Sequence, residues 1–307
     1  MFEAFEIGPF ILWTHLIFLL IAIWLSSEFF FRLVQSAGLS LQHFKDNGLW
    51  HLLGAFLGGR LTAVLAEYQV YLRDPLRIFI VWDGNFGFLG CAIGVAVVLY
   101  ITRKDSRDTL LQWLDVLVPA TTFGLALDWL GKFAGGQAYG KPTDVFWVVT
   151  YDAINVRYAV PIHPVQLYYA FFYIALTFLL LVVRKQAKRA GAETLVGIIL
   201  AAGATFLFEN FRGDFGIPVF ATQLDFLFLL LLFISLGIFA VVELKVAQRT
   251  VILFEAFTTL VCAGYLLARP FLHFDTFELR FTQLLAILAL LATVVYVVVH
   301  RRRYPHL

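Results

Sequence analysis

Residues 164–183 read PVQLYYAFFYIALTFLLLVV, twenty positions without a charge. An apolar run of about 20 residues is what a helix needs to cross a bilayer. Such runs recur along the chain, and nine candidate spans follow: 9–26, 49–70, 86–102, 111–130, 164–183, 194–211, 222–242, 250–268 and 281–299. Composition agrees. The 307 residues are 61% hydrophobic and 14% charged, with 33 Phe, whereas a soluble domain carries about 25% charged residues. The expected fold class is an all-α polytopic membrane protein.

The net charge of +2 says little, because in a membrane protein the placement of charge matters more than its sum. No nucleic-acid partner is expected. Cys91 and Cys262 both lie inside apolar runs and form neither a metal-ligand pair nor a disulfide framework, so no metal and no other cofactor is expected. The opening MFEAFEIGPF is acidic where a signal peptide would be basic, and it reads as mature sequence.

Orientation follows from lysine and arginine. With the N-terminus outside, the inner loops hold Arg32, Lys45, Arg103, Lys104, Arg107, Arg184, Lys185, Lys188, Arg189, Lys245, Arg249 and Arg301 to Arg303, which is 14 of the 23. The positive-inside rule then puts the C-terminus in the cytoplasm and residues 131–162 at the outer face. There the apolar pattern breaks into GKFAGGQAYGKPTD at 131–144, followed by a β-branched and aromatic stretch that reads as a short extended flap. The run 75–84 reads as an interfacial segment leading into the third span.

Ionisable groups within spans are costly and tend to face a bundle interior or a wet cavity. Arg60 sits mid-span behind two glycines, with Glu67 two turns along the same helical face. It reads equally as an anion-binding arginine or as half of a structural ion pair. Glu209 and Arg212 are spaced for a local salt bridge. Asp115 and Asp128 lie at the two ends of the fourth span, and Asp225 in the seventh reads as paired within the bundle. His163 opens the fifth span before Pro164, a place for a capping or interface histidine. Most of these groups fall near the outer ends of the spans, which suggests a pocket for a polar headgroup.

Six segments then resemble, in order and spacing, the prolipoprotein diacylglyceryl transferase family. They are IGPFILWTHLIFLL, GGRLTAVLAE, RDPLRIFIVWDGNFGFLGCAIG, LDVLVPATTFGLALDWLGKFAGGQAYGKPTD, HPVQLY and FENFRGD, and the resemblance spans about residues 7–243. The fourth is similar to the family signature G-R-x-G-N-F-x-N-x-E-x-x-G-R-P-T. The resemblance implies a seven-helix enzyme of the bacterial inner membrane that moves diacylglyceryl from phosphatidylglycerol to the lipobox cysteine of a preprolipoprotein. It implies a transferase-like domain over 1–247. Residues 248–307 would add two further spans with a basic tail, whose helices at 250–299 offer surface to other membrane subunits.

The departures fall at the chemistry. The family histidine is Leu89 here, the signature arginine is Trp129, and the glycine before it is Asp128. The signature asparagines are Lys132 and Gly135, the glutamate is Gln137, and the sixth-span arginine is Thr205. The first-span tyrosine is Thr14. Gly84, Gly90, Gly94, Gly131, Gly140, Pro142, Arg60, Gln166, Tyr168, Glu209 and Arg212 are kept.

The family reaction needs cations on a phosphate that gains charge as it leaves, and a base for a thiol of pKa about 8.5. Losing one such electrostatic donor costs about 10²–10³ in rate, so enzyme activity stays open. The candidates for chemistry are His163, Lys132 and Asp128. The candidates for headgroup binding are Arg60, Lys132, Lys141, Arg212, Gln166 and Tyr168, with Glu67 and Glu209 in structural ion pairs.

Two readings compete: a divergent transferase acting on phosphatidylglycerol or another lipid, with a thiol or a different nucleophile, and a catalytically silent relative serving as a lipid-binding or structural subunit of a larger complex. A transporter gains little, because no pseudo-symmetric pair of broken helices is visible. Convergence of Arg60, Lys132, Lys141, Arg212 and His163 around a cavity would favour lipid binding or catalysis. Trp129 and Leu89 filling that cavity would favour the silent relative.

Overall fold

The apolar runs fold as helices, since no water is present in the bilayer core to satisfy an open backbone. The structure, a computed structural model, describes residues 4–7, 10–66, 68–79, 87–102, 107–151, 156, 158–186, 190–214, 218–222, 227, 248–268, 271 and 276–303. Strands β1 (Ala4–Ile7) and β2 (Phe10–Trp13) lead into helix α1 (Thr14–Ser36), then α2 (Leu41–Asp46), α3 (Gly48–Ala66), α4 (Tyr68–Arg73) and a 3₁₀ turn at Pro75–Phe79. Next come α5 (Phe88–Thr102), α6 (Arg107–Ala134), α7 (Val165–Gln186) and α8 (Ala192–Phe208), which closes on a 3₁₀ turn at Glu209–Phe211. Strand β3 (Pro218–Thr222), α9 (Gln248–Ala268), β4 (Thr276–Arg280) and α10 (Phe281–Arg303) complete the order.

Six helices among the described residues are long and apolar enough to cross a membrane, and α5 is a shorter apolar helix. The chain is an all-α polytopic membrane protein. Its strands form two small antiparallel ribbons, β1–β2 and β3–β4.

The first span differs from its expected bounds. Residues 10–13 pair with 4–7, Ile7 opposite Phe10 and Ala4 opposite Trp13, so the helix starts at Thr14 and not at residue 9. The bulky residues at 10–13 suit a strand. The second span ends at Ala66. Of the seventh expected span, 222–242, residues 222 and 227 are described; the rest of it, with Asp225, and Glu67 beyond α3, lie outside the described residues.

The chain divides into two compact units, Met1–Phe215 and Gly216–Leu307. In the second, β3 and β4 pair in register from Pro218–Arg280 to Thr222–Thr276. In the first, consecutive long helices run antiparallel. Helices α3 and α5 meet through facing glycines. A Cβ on Gly58 would overlap the Gly90 carbonyl, and one on Gly94 would overlap the Gly54 carbonyl. The Gly87 amide donates to the Gly59 carbonyl at 3.0 Å. Lipid supplies no hydrophobic drive between helices, so close backbone approach over small residues at i, i+4 holds this pair.

Helix α7 is apolar all round, so burial and not polarity separates its faces. Val165, Tyr169, Tyr173, Leu176 and Leu180 are buried in a stripe, whereas Phe171, Phe178 and Val182 on the other face are exposed. The stripe packs with Leu19 and Ala22 of α1, Leu125, Ala126 and Trp129 of α6, and Phe88 of α5 in one core cluster. A second cluster, with Phe30, Val34, Leu99, Trp113 and Val116, fills the other end of the bundle.

At that other end, Asp115 of α6 caps the start of α8. Its carboxylate accepts from the amides of Gly191 at 2.5 Å and Thr194 at 2.9 Å, and from the Thr194 hydroxyl at 2.7 Å. A carboxylate there meets orphan N–H groups and the positive end of the helix dipole.

Replacing Gly58 or Gly94 by valine should separate α3 from α5. Overpacking typically costs about 1–3 kcal/mol, and unfolding in detergent micelles followed by circular dichroism should show it. Gly203, beside which an added Cβ meets nothing within 4 Å, should accept alanine with little change.

Candidate functional site

The sequence GKFAGGQ at 131–137 ends helix α6 by its own chemistry. Gly136 adopts φ +68, a left-handed conformation that glycine takes without a Cβ penalty. The Gln137 amide then reaches the Lys132 carbonyl at 2.8 Å and the Gly136 amide the Phe133 carbonyl at 3.3 Å. This paired closure is the Schellman motif, and it satisfies carbonyls that the helix end would strand. The chain leaves at a fixed angle and enters 139–151.

Three segments then lock together across the ends of α6, α7 and α8. The Lys141 amide donates to the Phe211 carbonyl at 2.8 Å, the His163 amide to the Lys141 carbonyl at 3.0 Å, and the Gly213 amide to the Tyr139 carbonyl at 2.9 Å. Gly140 lies between them. A Cβ there would overlap the His163 carbonyl, so only glycine fits the approach. Val149 and Ile162 exchange hydrogen bonds at 3.1 and 3.0 Å, which gives the loop its extended form.

Beside this ribbon the Tyr168 hydroxyl accepts the Trp147 indole N–H at 2.6 Å and lies 3.0 Å from His163 Nδ1. Burial pulls the His163 imidazole below its ordinary pKa, so the neutral ring is the form the fold favours. The sign is that of a lowered histidine: this contribution is present above the unfolded pKa and is lost as pH falls below it. Gln166 is fully buried and donates to the Gln137 carbonyl at 2.7 Å, tying the start of α7 to the end of α6.

Deeper in the same end lies a line of charge. Asp128, buried on α6, faces His15 of α1, with Nε2 3.1 Å from Oδ1. Its other oxygen is 2.8 Å from the Lys132 ammonium. That ammonium also sits 4.4 Å from the centre of the Trp129 ring, a cation–π contact. Trp129 stacks on Tyr169 of α7 at 4.0 Å with an interplanar angle of 8°. The Tyr169 hydroxyl donates to Glu209 at 3.2 Å, and Glu209 pairs with Arg212 at 2.7 Å. Arg212 closes the line with a bidentate fork on Asp214, at 3.0 and 2.5 Å.

The structure thus brings together Asp128, Lys132, Glu209 and Arg212 in one line, and His163, Tyr168, Gln166 and the Lys141 backbone in the adjoining ribbon. The Lys141 side chain is exposed. Arg60 is buried elsewhere: its guanidinium donates to the carbonyls of Arg77 at 2.7 Å and Ile78 at 3.1 Å, and lies over the Tyr71 ring. It therefore holds the 3₁₀ turn at Pro75–Phe79 against α3. Leu89 is 54% exposed and points away from the bundle, whereas Trp129 is buried in the core.

A cavity of about 340 Å³ does lie between α1, α3, α5 and α6. It is walled by residues such as Ser26, Phe30, His51, Ala55, Cys91 and Thr121, and none of the expected site residues lines it. His15 was missed by the sequence reading. Its signal was present: an ionisable residue inside an expected span, when Asp128 in another span needed a partner.

The chain matches the model of the family described as prolipoprotein diacylglyceryl transferase over residues 3–299. It is similar to three proteins named phosphatidylglycerol–prolipoprotein diacylglyceryl transferase. With that of Polynucleobacter necessarius it shares 36% identity over 135 residues, 44% of this chain and half the length of the relative. With that of Pseudoalteromonas atlantica it shares 30% over 214 residues, 68% of this chain and 74% of the relative. With that of Pasteurella multocida it shares 34% over 215 residues, 68% of this chain and 77% of the relative.

Trp129 to alanine should remove the platform between Lys132 and Tyr169 and leave a hole between α6 and α7. Burying an aromatic and then truncating it to alanine costs about 3–5 kcal/mol. Unfolding in detergent micelles followed by circular dichroism should report a loss of that size, and a loss under about 1 kcal/mol would mean that the site collapses around the gap.

Proposed function

The chain belongs to the prolipoprotein diacylglyceryl transferase family, and we propose that it transfers diacylglyceryl from phosphatidylglycerol to the thiol of a lipobox cysteine through a rebuilt set of cations. The observation that carries this reading is the position of Lys132. The family signature has arginine where this chain has Trp129. The lysine one helical turn on places its ammonium 4.4 Å from the ring that replaced the guanidinium. A cation thus stands one turn along the same face of α6, where it is paired with Asp128.

In this reading Lys132 and the exposed Lys141 take the phosphate as point charges, a looser match than an arginine fork. Gln166 and Tyr168 shape the headgroup contact, and Arg212, held by Glu209 and Asp214, contributes field more than a free fork. Arg60 supports the wall through the 75–79 turn. The protein then resides in a bacterial inner membrane, with the end of α6 at the outer face and the C-terminus in the cytoplasm. Residues 1–247 form the transferase-like domain, and helices within 250–299 offer surface to other membrane subunits.

A second reading, a silent lipid-binding relative, is favoured by one observation. Along the line of charge three carboxylates, Asp128, Glu209 and Asp214, face two cations, Lys132 and Arg212. A phosphate arriving there meets charges already offset, and the rate would suffer accordingly.

Complementation of a strain depleted of its own transferase, with lipoprotein modification read by mass, separates the two. Rescue supports the transferase, and failure to rescue with stable co-purification of other subunits supports the silent relative. In a rescuing strain, Lys132→Ala and Arg212→Ala should each lower transfer by about 10²–10³. Full activity in both would remove the phosphate contacts assigned here.

A further inference from the structure

Asp128 makes two bonds of different kinds, and the second defines a chemical group that the cations alone do not supply. Its Oδ2 is neutralised by Lys132 at 2.8 Å, and its Oδ1 faces His15 Nε2 at 3.1 Å. The Asp128 side chain is 3% exposed, that of His15 13% and that of Lys132 26%. The cluster is therefore closed on the side of Asp128 and reachable on the side of His15 and Lys132. A buried carboxylate accepts hydrogen bonds and donates none, so it holds the proton of a neutral His15 on Nε2. The lone pair is then on Nδ1. Among the described residues Asp128 is the hydrogen-bond partner of His15, which leaves Nδ1 for a substrate.

The helix contact that sets this geometry is built for it. Gly131 and Gly135 sit one and two turns along α6 toward its end. A Cβ on Gly131 would overlap Phe18 and stand 3.6 Å from His15 Cδ2, and one on Gly135 would stand 3.6 Å from His15 Cβ. The start of α1 therefore lies against the last turn of α6 where Gly131 leaves no room for a side chain, while a Cβ on Gly135 would touch His15 at ordinary contact distance. The imidazole is fixed by the backbone on one side and by the carboxylate on the other. A carboxylate that orients an imidazole and stabilises its protonated form is the arrangement by which proteins make a histidine a general base.

We propose that His15 is the proton acceptor of a lipid site at this end of the bundle, oriented by Asp128, with Lys132 supplying the cation beside it. The inference rests on the transfer reading for the identity of the nucleophile. There the thiol S–H bond breaks and its proton goes to His15 Nδ1. The sulfur electron pair forms a C–S bond to the glyceryl carbon. The C–O bond from that carbon to phosphate breaks, and its electron pair leaves with glycerol phosphate. The imidazolium returns its proton to that phosphate monoester, so that no oxidant or reductant is required. His163 differs: its Nδ1 faces a phenol already bonded to Trp147, and among the described residues no carboxylate orients it.

The full chain in phosphatidylglycerol vesicles, given a lipobox peptide, provides the test, with product read by mass. His15→Gln should lower transfer at least about 100-fold, the lower bound of a general-base contribution, with unfolding in detergent unchanged. A second measurement uses no turnover: diethyl pyrocarbonate should modify His15 of the parent chain, more slowly in phosphatidylglycerol vesicles than in phosphatidylcholine vesicles.

A parent chain that transfers together with an equally active His15→Gln variant overturns the proton-acceptor role and leaves the transfer reading standing. A parent chain that makes no product overturns the transfer reading. In that case, labelling of His15 slowed by phosphatidylglycerol supports its place at a lipid site, and labelling equal in both lipids, or absent, overturns that as well. Should His15→Gln misfold, the labelling of the parent chain decides.

Discussion

A carboxylate inside a membrane-spanning helix must be bonded on every side, and the arrangement at this end of the bundle follows from how Asp128 meets that demand. The desolvation penalty of an ion in low dielectric is several kcal/mol even after relaxation. Asp128 offsets it by drawing Lys132 up from one turn along α6 and His15 across from α1. The first contact lies within α6, and the second ties α1 to it. They also place the Lys132 ammonium over Trp129, which stacks on Tyr169 and so reaches Glu209 and Arg212. One buried charge thus organises α1, α6, α7 and the end of α8.

The scaffold around this line is held by a different physics. Helices α3 and α5 touch backbone to backbone over four glycines, and the loop ends meet over Gly140. Neither contact depends on charge. Such a division fits what the motif resemblance implies, that Gly90, Gly94, Gly131 and Gly140 are kept while the signature arginine, asparagines and glutamate are replaced. Close approach tolerates no side chain, whereas the polar end tolerates a rewritten set provided each buried charge finds a partner.

Much of this was legible in the sequence for identifiable reasons. Runs of about 20 apolar residues announce membrane helices because the bilayer fixes their length, and α1, α3, α6, α7, α8 and α10 appear where such runs lie. The Glu209–Arg212 pair was legible because i, i+3 neighbours on a helix must face each other. The glycine pair at 135–136 lies in the polar break where α6 closes. The start of α1 was misplaced because Phe10 to Trp13 are as apolar as the helix after them, and hydropathy does not distinguish a paired strand from a span. Arg60 was legible as buried but not as a clamp on carbonyls 17 and 18 residues away.

Class, apolar runs and family are written in local composition and motif order. Which polar groups meet is settled by packing. His15 and Asp128 are 113 residues apart in the chain, and Tyr169 and Glu209 are 40 apart. A one-dimensional pattern carries helix periodicity but not helix neighbours. The pairing of a buried charge is set by which helix backbones can approach closely enough, and that is a property of the packed bundle.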